Sequence, residues 1–266
     1  SQSLKDQLEE AGANVIVNGL LDIDGKDYID TGYTEWGASG LAAVWAENNT
    51  RESIYEAFRR KETFATTGSR IKVRFFGGYD LTNVLQEEDP IKYAYANAVT
   101  MGSDMIQNDN AAPQFMVWAL RDLKRAPLDR VQIIKGWTEL SGKPHEKIYD
   151  VACSDGRKPN LNSGLCRDSR AKVNLNNCKI SKNLGANELK AVWQDPDFNP
   201  DLKAFYYVRV LENPTCRWST WDAIKSGEKP RDDLPSTIQE RAWSSPIWYV
   251  PDNEGITTSN ILPDDI

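Results

Sequence analysis

Five cations, three carboxylates and two hydroxyls are the residues whose type and placement could do chemistry. Arg51, Arg59, Arg60, Lys61 and Arg70 crowd one stretch of the chain. Guanidinium groups hold phosphate or carboxylate esters through paired hydrogen bonds, so Arg51, Arg59, Arg60 and Arg70 are candidate substrate ligands. Thr66-Thr67-Gly68 precedes Arg70 and could offer hydroxyls and backbone amides to the same anion. Glu47, Glu62 and Asp104 are candidate catalytic carboxylates, as oxygen ligands or a general base. Each group also has a plainer reading. Arg51 and Glu52 fit a solvated first helical turn, and Arg59 to Lys61 complement a helix C-terminus. The Thr-Thr-Gly run fits a strand ending at a turn glycine, and Asp104 in Met101-Gly102-Ser103-Asp104 fits an Asx turn.

The histidine count is the strongest constraint. His145 stands alone, whereas many hydrolytic zinc sites use two or three imidazoles, so no metal ligand is assigned within this chain. Serine-type catalysis would also have to run through His145, in the turn-rich polar segment Ser141 to Glu146. Trp218, Trp221, Trp243 and Trp248, with Tyr206, Tyr207 and Tyr249, suit either an aromatic sugar platform or the bulky interior of a sandwich.

Composition narrows the classes further. The 266 residues are 40% hydrophobic and 27% charged, the balance of a folded globular protein. With 39 acidic against 32 basic residues the formal charge is −7, which disfavours a nonspecific nucleic-acid binder. No apolar run reaches the roughly 18 to 20 residues that span a bilayer, so no membrane span is expected. The first residue is Ser1 rather than methionine, from which processing, proteolysis or design of the N-terminus is expected, together with an upstream segment. Cys153, Cys166, Cys178 and Cys216 form no C-x-x-C pair. They are expected to be disulfide-bonded, with open connectivity, around a polar excursion, which implies a periplasmic or secreted protein. Four reduced cytosolic thiols are the alternative.

The elements that must position these residues are mostly strands. A short helix over residues 4 to 11 and a strand at Asn14 to Val17 are followed by Asp22 to Asp27. That segment resembles a calcium loop but lacks the acid an EF-hand requires at its twelfth position, where Tyr33 stands, and reads as a solvated turn. Gly40 to Trp45 suits a buried strand. A helix capped by Asn49 runs to about Glu62, with Ile54 and Phe58 on one face. Thr63 to Gly68 and Ile71 to Phe76 read as strands, the latter ending at a Gly77-Gly78 break. Six further strand signals lie between Gln114 and Val250, with helical pieces at Asp89 to Ala96 and Thr220 to Lys225. The segment from Pro251 to Ile266 reads as a polar tail.

Long ordered blocks carry a family resemblance. Gly37 to Glu52, Arg59 to Ile71 and Val73 to Gly78 closely resemble the bacterial domain-of-unknown-function family 3604, as do Met101 to Asp104, Ala112 to Ala119, Leu128 to Trp137 and Gln239 to Tyr249. That family looks related to the polymerase-and-histidinol-phosphatase (PHP) superfamily of metal-dependent hydrolases. The resemblance implies the C-terminal part of such a protein, with no cofactor in this chain and a divalent metal held by a missing N-terminal PHP-like half, its implied partner. The implied fold is α+β: an αβ segment over residues 1–68 resembling the end of a barrel, a mainly antiparallel β-sandwich over 69–250, and a tail over 251–266. A single all-β sandwich with helical insertions is the alternative. The implied function is structural or accessory to ester or phosphoester hydrolysis. A secreted non-catalytic module binding glycan or protein, and a carboxylate-based enzyme using Glu47, Glu62 or Asp104, are the rivals.

Overall fold

A computed structural model describes residues 20–23, 26–29, 37, 39–160 and 162–252, the first two segments as backbone only. The helix expected over 4–11, the strand at 14–17 and most of the 251–266 tail lie outside them. The chain first forms a hairpin of β1 (Leu20–Ile23) and β2 (Lys26–Ile29), which pairs Asp22 with Asp27. Next come β3 (Leu41–Val44), helix α1 (Arg51–Arg59), β4 (Thr63–Thr66), β5 (Lys72–Gly78), helix α2 (Pro90–Asn97), β6 (Val99–Thr100) and β7 (Asp104–Ile106). They are followed by β8 (Gln114–Leu120), β9 (Leu128–Thr138), β10 (Pro144–Cys153), β11 (Val173–Asn174), β12 (Lys179–Ile180) and β13 (Glu188–Gln194). The chain continues with β14 (Ala204–Glu212), β15 (Thr215–Cys216), helix α3 (Trp218–Ser226), β16 (Thr237–Ile238), β17 (Arg241–Ser244) and β18 (Ile247–Val250).

Two sheets face each other. The larger runs β10-β9-β14-β17-β4-β3, with β18 paired to the first half of β14 and, in parallel, to β7. The smaller runs β13-β8-β5-β6 and is antiparallel. Period-two alternation explains the packing. Ala204, Tyr206, Val208 and Val210 of β14 point inward against Val73 and Phe75 of β5 and Phe115 and Val117 of β8. Phe115 sits among these rings, 4.3 Å from Tyr206 and 5.5 Å from Phe75. The other face of the smaller sheet is also covered, since Phe76 and Met116 pack with Ala94 of α2 and with Leu81 and Val84. Asp89 caps α2 by accepting from the Lys92 amide at 3.0 Å, and Pro90 supplies a preset first turn.

Several local expectations change. β3 is an edge strand with Leu41 and Ala42 exposed, not a buried one. The cap of α1 is Thr50, whose hydroxyl accepts from the Ser53 amide at 3.2 Å, rather than Asn49. Phe58 and Tyr55 of α1 remain exposed. Gly77 and Gly78 are the last two residues of β5 rather than a break after it; they pair with Phe115 and Gln114 of β8, and the Phe115 ring and Ala98 occupy the space their side chains would need. His145 lies in β10 rather than in a turn, opposite Trp137.

The four cysteines join as Cys153–Cys166 and Cys178–Cys216. The second bridge ties the polar excursion to β15, just ahead of α3.

Candidate functional site

The turn between β4 and β5 is built by its own hydroxyls. Thr66 donates to the Ser69 carbonyl at 2.6 Å and accepts from the Gly68 amide at 3.1 Å. Thr67 donates to the Glu240 carboxylate and accepts from the Arg241 amide at 2.9 Å. Gly68 adopts φ +119°, which a side chain would oppose. The hydroxyls of the two threonines are therefore engaged in holding the turn.

What the turn presents is Arg70. Its amide donates to Asp122 Oδ2 at 2.9 Å, while Asp122 Oδ1 accepts from the Lys124 amide at 2.9 Å. Asp122 thus pins the turn to the loop between β8 and β9. Burial alone would raise its pKa, but the two amides and the charges of Arg125 and Arg70 overrule that and hold it below the usual carboxylate range. The loop adds Arg121, Lys124 and Arg125, and β5 adds Lys72. These cations and Arg70 line one open cleft of about 720 Å³. Arg70, Lys72, Lys124 and Arg125 make no ion pair among the described residues, and the Nε of Arg121 is buried without a hydrogen-bond partner. Such an array suits an anionic ligand.

Near this turn lies Glu212, wholly buried at the end of β14. Its two carboxylate oxygens and the Ser69 hydroxyl find no hydrogen-bond partner among the described residues. Burial, reinforced by the charges of Glu240 and Asp122 and opposed by the nearby Ser69 hydroxyl, which forms no hydrogen bond of normal geometry with it, and by the charge of Arg125, pushes its pKa up to about 8.

The other candidates are dispersed. Glu62 is buried, 4% exposed, and accepts from the Tyr95 hydroxyl; Arg60 reaches it only at 3.5 Å. Arg74 donates to that hydroxyl at 2.7 Å and lies 3.6 Å from the centre of the Trp45 ring. Burial first, and then the Glu62 carboxylate, lift Tyr95 to about 12. Glu62 therefore belongs to a hydrogen-bonded chain from Arg74 through Tyr95 of α2 to Glu62. Arg51 and Glu47 are exposed beside the start of α1, and Arg59 is exposed at its last turn. Asp104 is exposed on β7 beside Trp248. His145 bonds Glu139 at 2.6 Å and stacks on Trp137. Among the described residues no three histidine, cysteine, aspartate or glutamate side chains converge as metal ligands, so the described side chains do not fit a divalent-metal centre.

Arg121, Asp122, Lys124, Arg125 and Glu212 were not among the candidates read from the sequence. Glu212 was legible in principle, because it shares the even-numbered parity of the inward-facing residues of β14.

Fold and cleft together define a β-sandwich with a cationic groove at one strand end. The profile of the family described as protein of unknown function, DUF3604, matches residues 8–251, and the chain belongs to that family. No curated protein and no solved structure matches it.

Proposed function

We propose that this chain is the sandwich part of a PHP-like metal-dependent hydrolase acting on an ester, a phosphoester in particular. Its own contribution is to support the catalytic half and to grip the anionic end of the substrate. One observation carries this reading: four cations without ion-pair partners gather around one cleft in a chain whose net charge is −7. Arg70 comes from a block shared with the family, and Asp122 fixes its backbone against the loop that supplies the remaining cations. No step of this reading passes through a metal held by these residues; bond cleavage is assigned to the N-terminal PHP-like half. The two disulfides favour a location outside the cytoplasm.

The test is binding of inorganic phosphate at low ionic strength, followed by NMR or calorimetry. Phosphate should bind the wild-type chain, and the combined change R70A/K124A/R125A should abolish binding without altering the melting temperature. With a catalytic half supplied, R70A should lower kcat/KM for a phosphomonoester. Equal phosphate binding by the wild type and the triple variant would remove the basis of the proposal, as would phosphomonoester hydrolysis by this chain alone.

A further inference from the structure

On the face of the larger sheet turned away from the core, one cross-strand row runs through five neighbouring strands. Glu146 of β10 opposes Gly136 of β9, and Gly136 opposes Phe205 of β14. Phe205 opposes Trp248 of β18, and Trp248 opposes Asp104 of β7. Opposed residues project to the same face. The row therefore reads carboxylate, glycine, phenyl, indole, carboxylate across four inter-strand steps of about 4.8 Å, roughly 19 Å in all.

The glycine is required. A Cβ at position 136 would stand 2.3 Å from Cζ of Phe205, so its absence lets the phenyl lie flat over the backbone as a floor. Tyr207, two residues along β14, continues that floor with a near-parallel ring 6.3 Å away. Trp248 forms a wall, its ring 5.1 Å from Phe205 and 47% exposed. A hollow of about 560 Å³ opens here, with Asp104, Glu146, His145 and the single cation Lys203 in its lining.

We propose that this row binds a neutral, hydroxyl-rich saccharide chain. Flat rings stack on the C–H faces of pyranoses, and a carboxylate at each end accepts from their hydroxyls. Beside the row, the same face turns polar and internally paired: Arg209 donates to Gln132 at 2.7 Å, and Gln132 donates to Asp150 at 2.6 Å. This polar, internally paired region bounds the apolar strip, whereas a standard protein–protein interface buries about 800 Å² per side. The terminal carboxylates disfavour uronates and sulfated chains, which separates this surface from the cationic cleft. The inference is independent of the hydrolase reading.

The purified chain is titrated with cellohexaose, laminarihexaose, mannohexaose and N-acetylchitohexaose, with hexagalacturonate as the charged comparator, by tryptophan fluorescence and calorimetry. At least one neutral hexasaccharide should bind. Trp248→Ala should weaken it at least about tenfold, or ~1.4 kcal/mol, while Trp248→Tyr retains most of the affinity. Asp104→Asn and Glu146→Gln, both changes of solvent-facing carboxylates, should each weaken binding about threefold without touching the fold. Trp221→Ala, on an exposed tryptophan of α3, should change nothing. The proposal is overturned if no neutral hexasaccharide binds, if hexagalacturonate binds better, or if binding survives both W248A and the two carboxylate changes.

Discussion

Glu212 makes stability depend on pH in the direction opposite to an ordinary salt-bridged carboxylate. Its folded pKa of about 8 lies above the unfolded value of 4.5, so between those values the folded chain binds a proton that the unfolded chain has released. Its contribution is fully present below pH 4.5, declines as pH rises and is gone above pH 8. Glu212→Gln should flatten this decline, leaving the variant more stable than wild type at pH 9. Urea melts of both proteins at pH 5 and pH 9 measure it, and an equal drop in the two would contradict the assignment. A second buried charge is fully paired. Lys135 Nζ lies 2.6 Å from Asp195 Oδ2, which also accepts from the Tyr206 hydroxyl at 2.7 Å. Asp195→Ala strands the lysine cation in the sandwich and should cost about 3–5 kcal/mol by urea denaturation. The Lys135–Asp195 pair could not be assigned from the sequence, because it joins residues sixty positions apart whose meeting depends on the fold.

Strands were far more legible than their edges. Alternation in Ala204 to Val210 and in Ile71 to Phe76 placed β14 and β5, since one buried face leaves a period-two imprint. Gly77-Gly78 misled because glycine usually breaks a strand, whereas here neighbouring side chains fill the missing volume. The edge position of β3 was hidden, as an apolar run of four residues looks alike at a margin and at a centre. Arg51, Arg59 and Arg60 do not line the cleft that holds Arg70: Arg60 reaches back to the Trp45 carbonyl at 3.4 Å, whereas the Arg70 amide joins a loop more than fifty positions away. Covalent ties act at this same scale. Cys178–Cys216 closes a separation of 38 residues and Cys153–Cys166 one of 13. Loop-closure entropy assigns them about 4 and about 3 kcal/mol. Differential scanning calorimetry should accordingly show a larger fall in Tm for C178S/C216S than for C153S/C166S.

The whole molecule is acidic, with its cationic cleft confined to one end of the strands and its carboxylate-bounded aromatic row on the outer face of the larger sheet. Screening should therefore act on the cleft selectively. Raising salt from 20 mM to 500 mM, across which the Debye length shrinks from about 20 Å to about 4 Å, should weaken phosphate binding severalfold while leaving saccharide binding nearly unchanged. Parallel titrations at the two salt levels measure both. The disulfide spacing also has a consequence for biosynthesis. A ribosome delivers Cys153, Cys166 and Cys178 before Cys216, so for a time three thiols emerge with only one correct pair among them. A premature bond to Cys178 would leave the late-arriving sulfur without its mate, and yield in an oxidising host should rise with an isomerase that reshuffles such errors.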